Sequence, residues 1–272
     1  MIEKFIMAGR TALHVCDSQQ GERCVVLLHG YLESMFVWDD FVPLLYKRVR
    51  VVTLDLPGHG ISEVRGECHS MEYLADVVRD ALQALGIARC TLVGHSMGGY
   101  VAMDIQRLYP ETVAGLALCD TMAASDGVGG ENRLKMADAV EQTNSVEPVM
   151  HFAQPADGDS TVKKTPEFIA TMTGWINEQN PAGLAWRQRM TYGRPELGAV
   201  PETISAPSLV VSGELDPSSN PSVMRPLAER ITGAEFIDIP DCGHFSAIEH
   251  PDTVARALLS LVKRVQSAQK NA

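Results

Sequence analysis

Positive charge is scarce in this sequence: 23 lysines and arginines stand against 34 acidic residues, a net charge of −11. That deficit speaks against nucleic acid and anionic membrane surfaces as partners, because both are bound through basic patches. The average leaves the charge of a local site open. Long hydrophobic runs are lacking too. No stretch approaches the ~18 apolar residues that span a bilayer, and the opening MIEKFIMAGR lacks the apolar core of a secretory signal. The six cysteines are Cys16, Cys24, Cys68, Cys90, Cys119 and Cys242, and no two form a CxxC pair. None joins histidines in a zinc-like cluster and no histidine pair has metal-ligand spacing, so no metal is expected. Reduced thiols and a cytoplasmic location are the expectations that follow.

What is present suffices for a sizeable core. The 272 residues are 45% hydrophobic and 21% charged, as in ordinary globular chains. Apolar, β-rich runs at 24–30, 49–58, 89–96, 113–120, 206–216 and 234–244 each read as a strand entering a loop. Several are nearly continuously apolar, as strands buried on both faces of a parallel sheet must be. Helical spacing occupies 71–86, 97–109, 222–231 and a tail from about 246 to 266, with Gly86 placed as a C-terminal cap. Strands alternating with helices imply crossover units and a mostly parallel, doubly wound α/β sheet. KFIMAGRTALHVCD (4–17) reads instead as an antiparallel hairpin turning at Gly9 and Arg10. From Asp120 to about Pro207 no strand is legible, only helical pieces at 131–143, 166–178 and 182–190. A bare loop of that length is uncommon. The expected organisation is a core of 1–120 and 201–272, interrupted by a helical insertion at 121–200. That insertion should sit over the C-terminal strand ends, where open α/β sheets bind ligands.

The segment TLVGHSMGGY (91–100) places Ser96 between an apolar strand and a helix, with Gly94 and Gly98 two positions to either side. A serine on a turn this sharp needs small residues at those positions. Its hydroxyl would project at a helix N-terminus, where the dipole favours a developing anion. The bland alternative is a glycine-rich structural turn. A nucleophilic serine needs a base, and the base needs an orienting acid. His244, in PDCGHFS after the last strand, is the candidate base. Asp216, directly after the strand in VVSGELDP, is the candidate acid, and Asp120 at the end of the preceding strand is its competitor. Glu214 and Asp241 are weaker ones.

The order serine, acid, histidine, together with LLHGYLES, DLPGHGIS, GHSMGG, SGELDP and CGHF, resembles the α/β-hydrolase superfamily over residues 24–245. The similarity is to its cofactor-free esterases, lactonases and related enzymes with a helical cap. It implies a small-molecule substrate, no cofactor, and an oxyanion hole built from the backbone N–H groups of Met97 and Tyr31. Serine at the elbow separates the chain from the dehalogenases and epoxide hydrolases, which use aspartate there. The reaction implied is hydrolysis of a carboxylic ester or lactone through an acyl-enzyme. Carbon–carbon hydrolysis, lyase chemistry and haloperoxidase-like perhydrolysis use the same triad, and a hydrolase-like ligand receptor is the reading of a different class. In the cap, NPAGLAWRQRMTYGRPE offers Trp186 as a lid and Arg189 as a partner for a substrate carboxylate, against plain packing with solvated arginines. His29 and His59 read as loop histidines bonded to backbone, and His95 as a residue lining the pocket. His14, His69, His151 and His250 read as surface or loop residues. The oligomeric state is left open.

Overall fold

The computed structural model of the chain describes residues 1–64, 70–124 and 130–270. Its strands are β1 (Ile2–Ala8), β2 (Thr11–Asp17), β3 (Cys24–Leu28), β4 (Arg50–Leu54), β5 (Cys90–His95), β6 (Val113–Cys119), β7 (Ser208–Gly213) and β8 (Glu235–Ile239). They form one sheet in the order β1-β2-β4-β3-β5-β6-β7-β8. β1 and β2 pair antiparallel through the turn at Gly9 and Arg10, and β2 pairs antiparallel with β4. Every pairing from β4 across to β8 is parallel. The fold is that of an α/β-hydrolase. Helices α1 (Met71–Ala84), α2 (Met97–Leu108), α3 (Glu131–Thr143), α4 (Pro166–Asn177), α5 (Pro181–Tyr192), α6 (Pro221–Glu229), α7 (Ser246–Glu249) and α8 (Pro251–Lys270) complete the described chain.

Alternation along the strands sends successive side chains to opposite faces, and two cores result. Val26, Leu28, Leu92 and Leu116 pack with residues of α1, α2 and α6. Val25, Leu27, Val93 and Ala117 pack with α8. Burial of each such valine or leucine side chain contributes roughly 1.5–3 kcal/mol. All residues of β5, β6 and β7 are buried, which explains their unbroken apolar sequences. Between β3 and β4 the crossover carries only 3₁₀ turns at Met35–Trp38 and Val42–Leu44. The tail expected as one helix is divided. His250 leaves the helical region at φ −134°, because a residue preceding proline is pushed out of it, and Pro251 starts α8.

A third cluster belongs to the segment between β6 and β7. Val140, Phe168, Met172, Ile176 and Leu184 pack together, and Leu32 and Phe245 from the sheet's loops join them. Those two side chains tie α3–α5 to the C-terminal edge of the strands.

Candidate active site

Ser96 is the residue between β5 and α2, and its backbone sits at φ 51°, ψ −115°. A non-glycine residue there costs of order 1–3 kcal/mol and persists only where its surroundings enforce it. Here the enforcement is close packing. A Cβ on Gly94 would collide with the backbone of Gly98 and Gly99, and one on Gly98 with the carbonyls of Leu28 and His29. Thr121 Oγ1 donates to the Ser96 carbonyl at 2.7 Å and fixes the turn from the β6 side. Serine at a helix N-cap ordinarily accepts a hydrogen bond from the first turn. Ser96 makes no such cap bond. Its Oγ lies instead 2.8 Å from His244 Nε2.

His244 follows β8, and its Nδ1 lies 2.7 Å from Asp216 Oδ2. Asp216, after β7, is 1% exposed. Burial acts to raise its pKa, but the opposed His244 and a set of hydrogen bonds hold the carboxyl well below the usual carboxylate range. Ser218 N and Oγ donate to Oδ1 at 2.8 and 2.9 Å, Ser219 N joins them at 3.1 Å, and Ser219 Oγ donates to Oδ2. Asp216 therefore remains ionised and acceptor-only. The Nδ1–H must point at it, which leaves the Nε2 lone pair facing the serine.

Asp120 makes no contact of this kind with the histidine ring. It is wholly buried at φ 48°, and accepts from Gly213 N at 3.1 Å and Ser246 N at 2.9 Å. Burial raises its pKa to about 6, nearby Asp216 adds to the rise, and His95 and His244 oppose it. Its carboxylate pins the end of β7 to the start of α7. Glu249 performs a parallel task that the sequence did not disclose, accepting from Gly243 N at 2.9 Å and Phe245 N at 3.1 Å. Asp241 is exposed and accepts from Thr161 N at 2.9 Å, far from this chemistry in role.

A cavity of about 580 Å³ opens above the serine. Ser96, His244, Tyr31 and Met97 line it from the sheet edge, and Met136, Met172, Phe152 and Gln188 from the helical segment. Its wall also carries Arg133, Lys163 and Arg194. The two cap residues singled out from the sequence lie elsewhere. Trp186 is 5% exposed, stacked edge-on against Tyr73 with ring centroids 6.1 Å apart and pressed against Gly58. Arg189 reaches away, to Asp138 at 2.9 Å and Glu141 at 2.8 Å on α3. The helical repeat explains this, since positions 186, 189 and 190 do not share a face with Gln188. Arg187, read as solvated, is buried and donates from Nη1 to Gln179 Oε1 at 2.7 Å, with its guanidinium 5.7 Å from the Tyr31 ring. Burial lowers its pKa to about 10.

The histidines divide similarly. His29 and His59 bond backbone groups: His29 Nε2 accepts from Leu56 N at 3.0 Å, and His59 Nε2 lies 3.1 Å from the Tyr31 carbonyl. His14 is a correction. It is 1% exposed on β2, between Asp55 Oδ2 and Glu3 Oε1 at 2.8 Å each. His95 is likewise buried rather than lining the cavity. His69 and Cys68 lie outside the described residues. Among the described residues no cluster of metal-ligating side chains occurs, and no helix is long and apolar enough to cross a membrane.

Residues 25–257 match the alpha/beta hydrolase family. The chain belongs to that family. It is an enzyme of hydrolytic type. It is 28% identical over 282 residues to the 2-hydroxy-6-oxononadienedioate/2-hydroxy-6-oxononatrienedioate hydrolase of Klebsiella pneumoniae, covering 94% of this chain and 93% of that one. It is 30% identical over 254 residues to the dihydrolipoyllysine-residue acetyltransferase component of an acetoin cleaving system of Pseudomonas putida. That match takes in 90% of this chain but only 65% of the longer relative. Among solved structures, a thermophilic esterase from Thermogutta terrifontis superposes with a TM-score of 0.88 at 30% identity, covering 97% of this chain and 99% of that one. The enol-lactonase from Burkholderia xenovorans LB400 gives 0.84 at 25% identity, covering 96% and 100%.

Proposed function

We propose that the protein is a serine hydrolase that cleaves a small-molecule carboxylic ester or lactone through an acyl-enzyme. One observation carries the reading. Ser96 Oγ, His244 and Asp216 form an unbroken hydrogen-bonded line, at 2.8 and 2.7 Å, that ends in a cavity fit for a small molecule. His244 Nε2 takes the proton of Ser96 as its oxygen attacks the carbonyl carbon, and the carbonyl oxygen becomes an alkoxide. The backbone N–H groups of Met97 and Tyr31 receive that oxyanion, each donor contributing ~3–4 kcal/mol to such intermediates. His244 returns the proton to the leaving alcohol. Asp216 keeps the imidazole in the correct tautomer and stabilises its charged form. Water then attacks the acyl-enzyme, with His244 again as base.

In this reading residues 121–200 are a cap that shapes the substrate's room, and 1–120 with 201–272 are the catalytic core. The esterase and enol-lactonase likenesses support an ester or lactone as the scissile group. The test is hydrolysis of short p-nitrophenyl esters, simple lactones and a 2-hydroxy-6-oxo-dienoate by the wild type and by Ser96→Ala. Esters or lactones should be turned over, with activity lost in the variant. Turnover of the dienoate alone would replace the ester reading with carbon–carbon hydrolysis. Ester activity that survives Ser96→Ala would remove Ser96 as the nucleophile.

A further inference from the structure

The residue just before the proposed nucleophile is a histidine, and it is 2% exposed. Its Nδ1 lies 3.0 Å from Glu33 Oε1, and Glu33 is itself 3% exposed. Its Nε2 lies 2.6 Å from the main-chain carbonyl of His244. Glu33 Oε2 in turn accepts from the backbone N–H of Gly30 at 2.6 Å. One buried ion pair therefore touches all three loops of the site: the turn bearing Ser96, the loop bearing His244, and the loop bearing Tyr31.

We infer that Glu33 and His95 are positioning residues that act as a single charge-balanced clamp, aligning the histidine and oxyanion loops while presenting no net charge to the cavity. The inference rests on the serine-hydrolase reading and extends it. Glu33 lies on the wall of the cavity, three residues beyond Gly30 on the loop that carries one oxyanion donor. A lone carboxylate there would oppose the negative charge that develops on the substrate oxygen, and in a dry site that opposition is strong. A positive His95 cancels it. His95 in its charged form also donates from both nitrogens, which its two acceptors require.

The electrostatic surroundings agree with this geometry. Burial works against charge on His95, but Glu33 more than offsets it, with help from Asp120, and the imidazole is raised to about 9. Burial likewise works against charge on Glu33, and His95, Gly30 N–H and His29 together hold its pKa below the usual value. The other groups facing His95 are the rings of His244 and Phe245, with centroids at 5.1 and 5.4 Å, and Trp38 at 6.5 Å. Loss of the His95 proton would leave the Glu33 charge uncompensated and one ring lone pair turned toward an acceptor, Glu33 or the His244 carbonyl.

The clamp differs from ordinary core packing in one measurable way: breaking it on one side should be worse than removing it. The experiment measures kcat and KM for a p-nitrophenyl ester from pH 6 to 10 with the wild type, Glu33→Gln, His95→Gln, the double variant and Ser96→Ala. Folding of each is checked by circular dichroism. Each single variant should lose ~10²-fold in kcat with little change in KM, since removing one partner strands a buried charge or its donors. The double variant should recover at least tenfold over His95→Gln. Wild-type kcat should fall reversibly as pH rises through about 9, and the double variant should lack that limb. Losses that simply multiply in the double variant would overturn the inference. So would single variants with unchanged kcat, or a wild-type profile flat to pH 10, which needs no variant to fold. Ser96→Ala separates the two readings: if it stays active the nucleophile is wrong, whereas an inactive Ser96→Ala with multiplying losses overturns the clamp alone.

Discussion

The C-terminal edge of the sheet and the helical segment above it face the same cavity but are built on different principles. At the edge the buried carboxylates have fixed counterparts. Asp216 collects Ser218, Ser219 and His244, Asp120 collects Gly213 and Ser246, and Glu249 collects Gly243 and Phe245. The overlying wall is instead furnished with methionines and long polar side chains, Met136, Met172, Gln188 and Arg133 among them. Methionine fills irregular space and adapts to different shapes. In the proposed function the edge serves one chemistry and the wall a choice of substrate. Changes at the edge should therefore appear in kcat, and changes in the wall in KM.

The largest effects test that division at the edge. Ser96→Ala should lower kcat by ~10⁴-fold or more, and Asp216→Asn by ~10³–10⁴-fold, because an amide can support the wrong histidine tautomer. Equal losses in KM would break the comparison. Asp120→Asn should cost less, ~10-fold in kcat, since it braces the loop through backbone N–H groups rather than touching the ring. An amide placed before those donors leaves one of them unpaired, at ~1–3 kcal/mol of stability. That deficit should narrow as pH rises. The raised pKa of Asp120 means its contribution is full below its ordinary value of 3.8 and is lost as pH climbs through about 6. Thermal unfolding of both proteins at pH 4 and pH 7 reads this sign directly. If Asp120→Asn proves as inactive as Asp216→Asn, the two aspartates do not divide the work as described.

In the wall, Met136→Ala should change KM by ~3–10-fold across esters of different acyl length while kcat stays within about twofold. A kcat loss matching those at the edge would erase the distinction. The smallest effect is expected for Arg189→Ala. Its partners Asp138 and Glu141 are more than half exposed. Such pairs contribute ~0–1 kcal/mol, and the ratio of KM values for acidic and neutral esters should not move.

The same contrast governed how far the sequence could be read. Strands β5, β6 and β7 are buried on both faces, so their apolar runs were unmistakable, and Gly94 and Gly98 marked the strained turn because nothing larger fits there. Ser96, Asp216 and His244 were legible as candidates from strand ends, which left Asp120, at another strand end, in competition with Asp216. Helices α3, α4 and α5 were legible too, but their orientation was not. Trp186 and Arg189 turned out to pack away from the cavity, because periodicity finds a helix without saying which face meets which neighbour. Glu33 and Glu249 went unread, and Asp120 and His95 were read as a competing acid and a pocket residue, for another reason. Glu33 and His95 are 62 residues apart and Asp120 is 93 from Gly213, and such pairings leave no local pattern. Glu249 acts close by, on Gly243 and Phe245, but through backbone N–H groups that no residue type announces.

The proposed function stands or falls with Ser96 as the nucleophile and His244 as its base. The most direct measurement is intact-mass and peptide mass spectrometry after reaction with a fluorophosphonate. One adduct per chain is expected, on the peptide containing Ser96, absent in Ser96→Ala and formed far more slowly in His244→Ala. An adduct on another residue, or labelling of Ser96→Ala at the wild-type rate, would contradict it.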